Sequence, residues 1–87
     1  GKKGALLQTA EGSWLVHSPK IQEKNPIGAG DSMVGGLVWA LSQGYSLKES
    51  LGWGAASGAA TASMSGTEVG SRALIEELFQ QVTYEEL

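Results

Sequence analysis

The chain contains no cysteine, which removes both a disulfide framework and a thiolate metal site and leaves a reducing compartment, the cytoplasm, as the default expectation. It has a single histidine, His17, on a strand-like run with no carboxylate cluster beside it, so metal ligation is not expected there. Basic residues are few: six in all, scattered, with only Lys2 and Lys3 adjacent. No patch of that size neutralises a stretch of phosphate backbone, so no nucleic-acid partner is expected. Long apolar runs are missing as well. The stretch from Met33 to Leu41 falls far short of the roughly 20 residues that cross a bilayer, and nothing at the start resembles a signal peptide, so no membrane partner is expected. Proline occurs only at Pro19 and Pro26. Together they bracket Lys20 to Lys24 and permit a short edge strand or an extended connector there, but no useful helix.

What is present is a folding composition: 41% hydrophobic and 17% charged residues with a net charge of -3 exclude an acidic disordered tail. At 87 residues the chain makes one small domain or a piece of a larger one, because this size buries only about 60 to 70% of its unfolded surface. Gly1 is followed at once by a strand pattern, which suggests a sequence that begins in mid-fold. Apolar faces left uncovered in such a piece predict self-association.

Ala5 to Thr9 and Ser13 to His17 are short apolar runs separated by Ala10-Glu11-Gly12, and they read as a β-hairpin with its glycine at positive φ. From Asp31, the positions Met33, Val34, Leu37, Val38 and Leu41 recur at helical spacing, and Gly44 stands where a left-handed cap belongs. This predicts a first helix to about Gln43, with Trp39 in the core. Ser46 followed by Glu49 is a capping box opening a second helix, with Leu47, Leu51, Ala55, Ala59 and Ala62 on one side. Within it, Gly54 to Gly58 forms a small-xxx-small pattern that lets another backbone or a flat ligand come close. After the irregular stretch 66–70, Ser71 caps a third helix carrying Leu74, Ile75, Leu78, Phe79 and Val82. Thr83 and Glu86 match a second capping box for a short final turn. The expected order is β, β, α, α, α.

The stretch that carries chemistry is Asn25-Pro26-Ile27-Gly28-Ala29-Gly30-Asp31-Ser32. It is not a P-loop, because Gly30 is followed by Asp-Ser rather than Lys-Ser or Lys-Thr. Nor is it a dinucleotide fingerprint, because position 33 is Met where a third glycine belongs. What remains is a set of backbone N–H groups, from about Gly28 to Asp31, converging at a helix start where unpaired donors and the dipole favour an anion. A turn tight enough to aim those amides inward calls for glycine at positive φ. Asp31 beside an anion site is counterproductive for simple phosphate binding, but fits a phosphoryl group on the amides with a hydroxyl on the carboxylate. The alternative on spacing alone is that Asp31 is a helix N-cap and the glycines a tight turn.

Residues 25–36, Asn-Pro-Ile-Gly-Ala-Gly-Asp-Ser-Met-Val-Gly-Gly, closely resemble the C-terminal signature of the ribokinase-like (PfkB) carbohydrate kinases. Leu37 to Leu41 and the small-residue helix ending in Ser65-Gly66-Thr67 also look like that family, so the resemblance covers nearly the whole chain. It implies an α/β fold, the C-terminal part of a ribokinase-like layered domain, in which a β-hairpin is followed by three helices. By the resemblance, Asp31 is the general base that takes the sugar hydroxyl proton, and Gly28, Ala29 and Gly30 form the anion hole for the transferred phosphate. Gly1, Lys2, Lys3 and Gly4 look like the end of the nucleotide-lining loop, and the helix around Ala55 looks like a wall against the adenine. The partners implied are ATP and a sugar phosphate, with fructose 1-phosphate first and tagatose 6-phosphate second. Other sugar or nucleoside kinases of the fold, or a non-catalytic nucleotide-binding module, are the alternatives. Mg²⁺ is implied as the companion of ATP, but the family's acidic Mg²⁺ motif is not in this chain, and no metal-ligating residue is expected. Asn25-Pro26-Ile27 stands where many members carry Asp-Thr-Thr, so the resemblance brings no monovalent-cation requirement with it. The family enzyme is about three times longer, and the isolated 87 residues are expected to be inactive.

Overall fold

The computed structural model describes residues 5–10, 12–21, 28–64 and 71–87. Two antiparallel strands form the hairpin: β1 is Ala5–Thr9 and β2 is Gly12–His17, paired from Ala5 with Val16 to Thr9 with Gly12. Gly12 has φ 150°, and a methyl there would meet the Trp14 ring at 3.5 Å. The helices are α1 (Ala29–Ser42), α2 (Leu47–Ala62) and α3 (Arg72–Phe79). Residues 18–21 connect without regular structure, and the rest of the expected connector, 22–27, lies outside the described residues.

One element departs from the expected order. Thr83–Glu86 is a third strand, β3, not a capped turn, and it pairs antiparallel with β2, Tyr84 opposite Val16 and Thr83 opposite His17. The sheet order is β1-β2-β3. His17 Nε2 meets Glu85 Oε1 at 3.0 Å across that pair. An exposed pair of this kind contributes little stability, so the strand is held chiefly by the ladder and by Tyr84, whose ring lies over Gly52 of α2.

Local chemistry sets the helix ends. Ser46 Oγ accepts the Glu49 N–H at 3.1 Å and donates to Glu49 Oε1 at 3.2 Å. Ser71 Oγ accepts the Leu74 N–H at 3.2 Å. Gly44, at φ 90°, ends the α1 region in the left-handed conformation that favours glycine.

Helix α2 is the centre of the molecule, packed on α1, on α3 and on β2. Its buried residues run almost continuously from Gly52 to Ala62 and surround the helix rather than occupying one side. The expected Leu47 position is exposed, at 45%. The core between α2, α3 and the sheet contains Val16, Ala55, Ala56, Ala59, Ala60, Leu78 and Val82, with Leu51, Leu74, Ile75 and Phe79 against it. At the other end of α2, Trp53 stacks on Phe79 with centroids 4.0 Å apart and meets Trp39 edge-on at 5.5 Å. Aromatic pairs of this kind add about 0.5 to 1.5 kcal/mol each beyond area burial. Trp39 is therefore a half-buried member of an aromatic seam rather than a fully buried core residue. On the outer side of α1, Val34, Val38 and Leu41 are 59%, 58% and 45% exposed, although they share the helical spacing that predicted a buried face.

Candidate active site

Gly28 is the N-cap of α1, with φ -86° and ψ -8°, and no side chain caps the helix. Ala29, Gly30 and Asp31 form the first turn. This corrects two expectations. The helix begins two residues earlier than the hydrophobic pattern indicated, so Asp31 lies inside the first turn and is not the cap. The amides are aimed by helical backbone, not by glycines at positive φ, because among the described residues only Gly12 and Gly44 adopt positive φ. The backbone ladder of α1 starts with Ser32 N–H donating to Gly28 O at 3.1 Å. By helix geometry the amides of 29–31 have no carbonyl within the helix to bond, and they point out of its positive end.

Among the described residues packing gives no reason for glycine at position 30, since a methyl built there meets nothing within 4 Å. The small residue leaves the approach to the amides open, and unpaired amides at a helix start are able to take an anion. Asp31 is exposed beside it. A carboxylate in the first turn is also favourable to the helix itself, by about 0.3 to 1 kcal/mol.

Helix α2 carries this turn. The small-xxx-small pattern receives a backbone, not a ligand: a methyl on Gly58 would lie 3.1 Å from Ala29 O, and one on Gly54 would lie 2.8 Å from Met33 O. From the other side, a methyl on Gly36 would collide with the Ser57 side chain. Thr61 Oγ1 donates to Ser32 Oγ at 2.8 Å, a partly buried bond beside Asp31. Sequence reading missed this bond. Its available signal was that Thr61 follows Gly58 by three residues and so lies near the same helix face.

Of the other expected site residues, only Ala55 is among the described residues. Ala55 is 5% exposed and packed in the core with Val16 and Leu78, so it offers no open wall to an adenine among the described residues. Gly1, Lys2, Lys3, Gly4 and 25–27 lie outside the described residues. A groove of about 390 Å³ runs along the α1–α2 seam from Ser32 and Thr61 to Trp39 and Trp53, with the Arg72 guanidinium 4.9 Å from the Trp39 ring. Among the described residues none of 28–31 lines it; its wall is largely apolar, with the hydroxyls of Ser32, Ser57 and Thr61 and the Arg72 guanidinium as its polar groups. Among the described residues no three His, Asp or Glu side chains group as a metal site.

Residues 1–74 match the model of the pfkB family carbohydrate kinases. The chain is 33% identical over 82 residues to a 1-phosphofructokinase of Escherichia coli (strain K12), covering 94% of this chain and 26% of that protein. It is 38% identical over 80 residues to an ATP-dependent 6-phosphofructokinase isozyme 2 of Mycobacterium tuberculosis (strain CDC 1551 / Oshkosh), covering 92% of this chain and 24% of the relative. Among solved structures, phosphofructokinase-2 from Escherichia coli in complex with potassium superposes with a TM-score of 0.81 at 32% identity, over 91% of this chain and 26% of that one. The chain thus spans about a quarter of the length of the curated relatives it matches.

Proposed function

Because the chain belongs to the pfkB family of carbohydrate kinases, we propose that residues 1–87 are the C-terminal segment of a kinase domain that transfers the γ-phosphoryl group of ATP to a sugar phosphate. The observation that carries this reading is the start of α1, where amides 29–31 and the open position at Gly30 adjoin the exposed carboxylate of Asp31. ATP supplies the phosphoryl group and the leaving ADP. The chain's own groups do the rest. Asp31 accepts the proton of the sugar hydroxyl as its oxygen bonds to the γ-phosphorus and the bond to the β–γ bridging oxygen breaks. Gly28, Ala29 and Gly30 present the N–H groups that take the charge on the transferring oxygens. Gly1 to Gly4 line the nucleotide in this reading, and Mg²⁺ is held by residues outside the segment.

Fructose 1-phosphate, converted to fructose 1,6-bisphosphate, is the first-choice acceptor, supported by similarity to 1-phosphofructokinases from two genera. Similarity to 6-phosphofructokinases makes fructose 6-phosphate its direct competitor. The full-length protein, assayed for ADP release with fructose 1-phosphate, fructose 6-phosphate, tagatose 6-phosphate and unphosphorylated sugars, is expected to prefer the first. A preference for another phosphorylated sugar changes the substrate and keeps the reaction class, whereas no turnover with any acceptor refutes the kinase reading. The cytoplasm is the proposed location, as for a sugar-phosphate kinase fed by soluble metabolites.

A further inference from the structure

The glycines of α2 set how closely α1 approaches, but they do not set how α1 is rotated. Gly54 and Gly58 present no side chain, and the atoms they meet, Met33 O and Ala29 O, belong to the α1 backbone. At those two positions the surface has a depth but no ridge; farther along, the Ser57 side chain packs against Gly36 and Trp53 meets Trp39 edge-on, contacts that seat the middle of α1 and leave the orientation of its first turn to be fixed. The directional contact is the bond from Thr61 Oγ1 to Ser32 Oγ at 2.8 Å, partly buried and joining residues 29 apart in sequence. Hydrogen bonds weaken steeply off line, so this one fixes the azimuth of Ser32 against α2. Asp31 is its immediate neighbour, about 100° around the helix at 3.6 residues per turn. Holding Ser32 toward α2 therefore keeps Asp31 turned away from the interface, where it is exposed.

From this geometry we infer that Thr61 and Ser32 are positioning residues for Asp31, acting as a clamp that orients the first turn of α1 for proton transfer. The inference rests on the kinase reading of Asp31. A loosened clamp leaves both substrates able to bind and misplaces the base relative to the hydroxyl, and misplacement on the ångström scale costs up to about a hundredfold in rate.

The test uses the full-length protein with two substitutions. Thr61→Val keeps the shape and removes the hydroxyl, and Thr61→Ser restores it. The expected result is a kcat lower by about tenfold in Thr61→Val, with KM for ATP and sugar phosphate within about twofold of wild type, and recovery in Thr61→Ser. A wild-type kcat in Thr61→Val, or equal impairment of both variants, overturns the inference. The wild-type rate alone reports on the kinase reading. If that rate is absent, hydrogen exchange at amides 32 and 33, the first that the helix ladder bonds, decides: faster exchange in Thr61→Val and recovery in Thr61→Ser uphold the clamp, and unchanged exchange overturns it.

Discussion

Alanine substitution should have opposite effects at Gly35 and Gly54, two glycines that are both interior to helices. Each substitution gains the same backbone term, about 0.5 to 1 kcal/mol for replacing glycine within a helix. At Gly35 a methyl meets nothing within 4 Å, so that gain is kept. At Gly54 the methyl would sit 2.8 Å from Met33 O, 3.4 Å from Leu37 Cβ and 3.5 Å from Leu37 N. Two of these are backbone atoms and cannot swing aside, so α1 must lift off α2, which costs about 1 to 3 kcal/mol as overpacking. Because the helix term is shared, the difference between the two variants isolates packing and should be about 1 to 3 kcal/mol, with Gly54→Ala the less stable. Urea denaturation of the full-length protein checks this, read as a shift in midpoint at constant slope. Equal stability of the two variants would refute the account of the α1–α2 contact, and with it the seat of the first turn.

Two further predictions concern the sheet and the outer face of α1. The Tyr84 phenol is pushed above its ordinary value of 10.0, chiefly by burial and secondarily by Glu49. A raised phenol favours the neutral form in the folded state, so its contribution is complete below about pH 10 and is lost as pH rises through the folded value. Tyr84→Phe should flatten that alkaline loss in a stability-against-pH series, and an unchanged slope counts against the assignment. The isolated 87-residue chain is expected to self-associate through Val34, Val38 and Leu41. Val38→Lys should move it toward monomer in sedimentation velocity, whereas a wild-type chain already monomeric at high concentration contradicts the prediction.

What sequence reading captured was mostly local. The turn of the hairpin, the Ser46 and Ser71 caps and the Gly44 stop each depend on residues within four positions of one another, and each is where its local chemistry placed it. Strand β3 was missed because four residues are too short to display a period, and because Thr83-x-x-Glu86 satisfies a capping pattern equally well. Only pairing with β2, more than sixty residues earlier, decides between them. At the candidate site a helix start within Gly28 to Asp31 was legible, though two residues late. The φ values were not, because an α-helix beginning at Ala29 aims the amides without a left-handed residue. The role of Gly54 and Gly58 was half legible. Their spacing announced a close approach, but whether a backbone or a ligand arrives is a property of the tertiary fold, as is the Thr61–Ser32 bond. Val34 and Val38 mark the limit of periodicity, which identifies an apolar helix face but not what covers it.

The central claim is that the carboxylate of Asp31 takes a proton from a sugar hydroxyl at the start of α1. The most direct test is Asp31→Asn in the full-length protein, a near-isosteric change that removes the base and leaves amides 28–30 in place. With fructose 1-phosphate and ATP, the account predicts a fall in kcat of about a hundredfold or more, with KM for ATP little changed. Turnover in Asp31→Asn equal to that of wild type would contradict it.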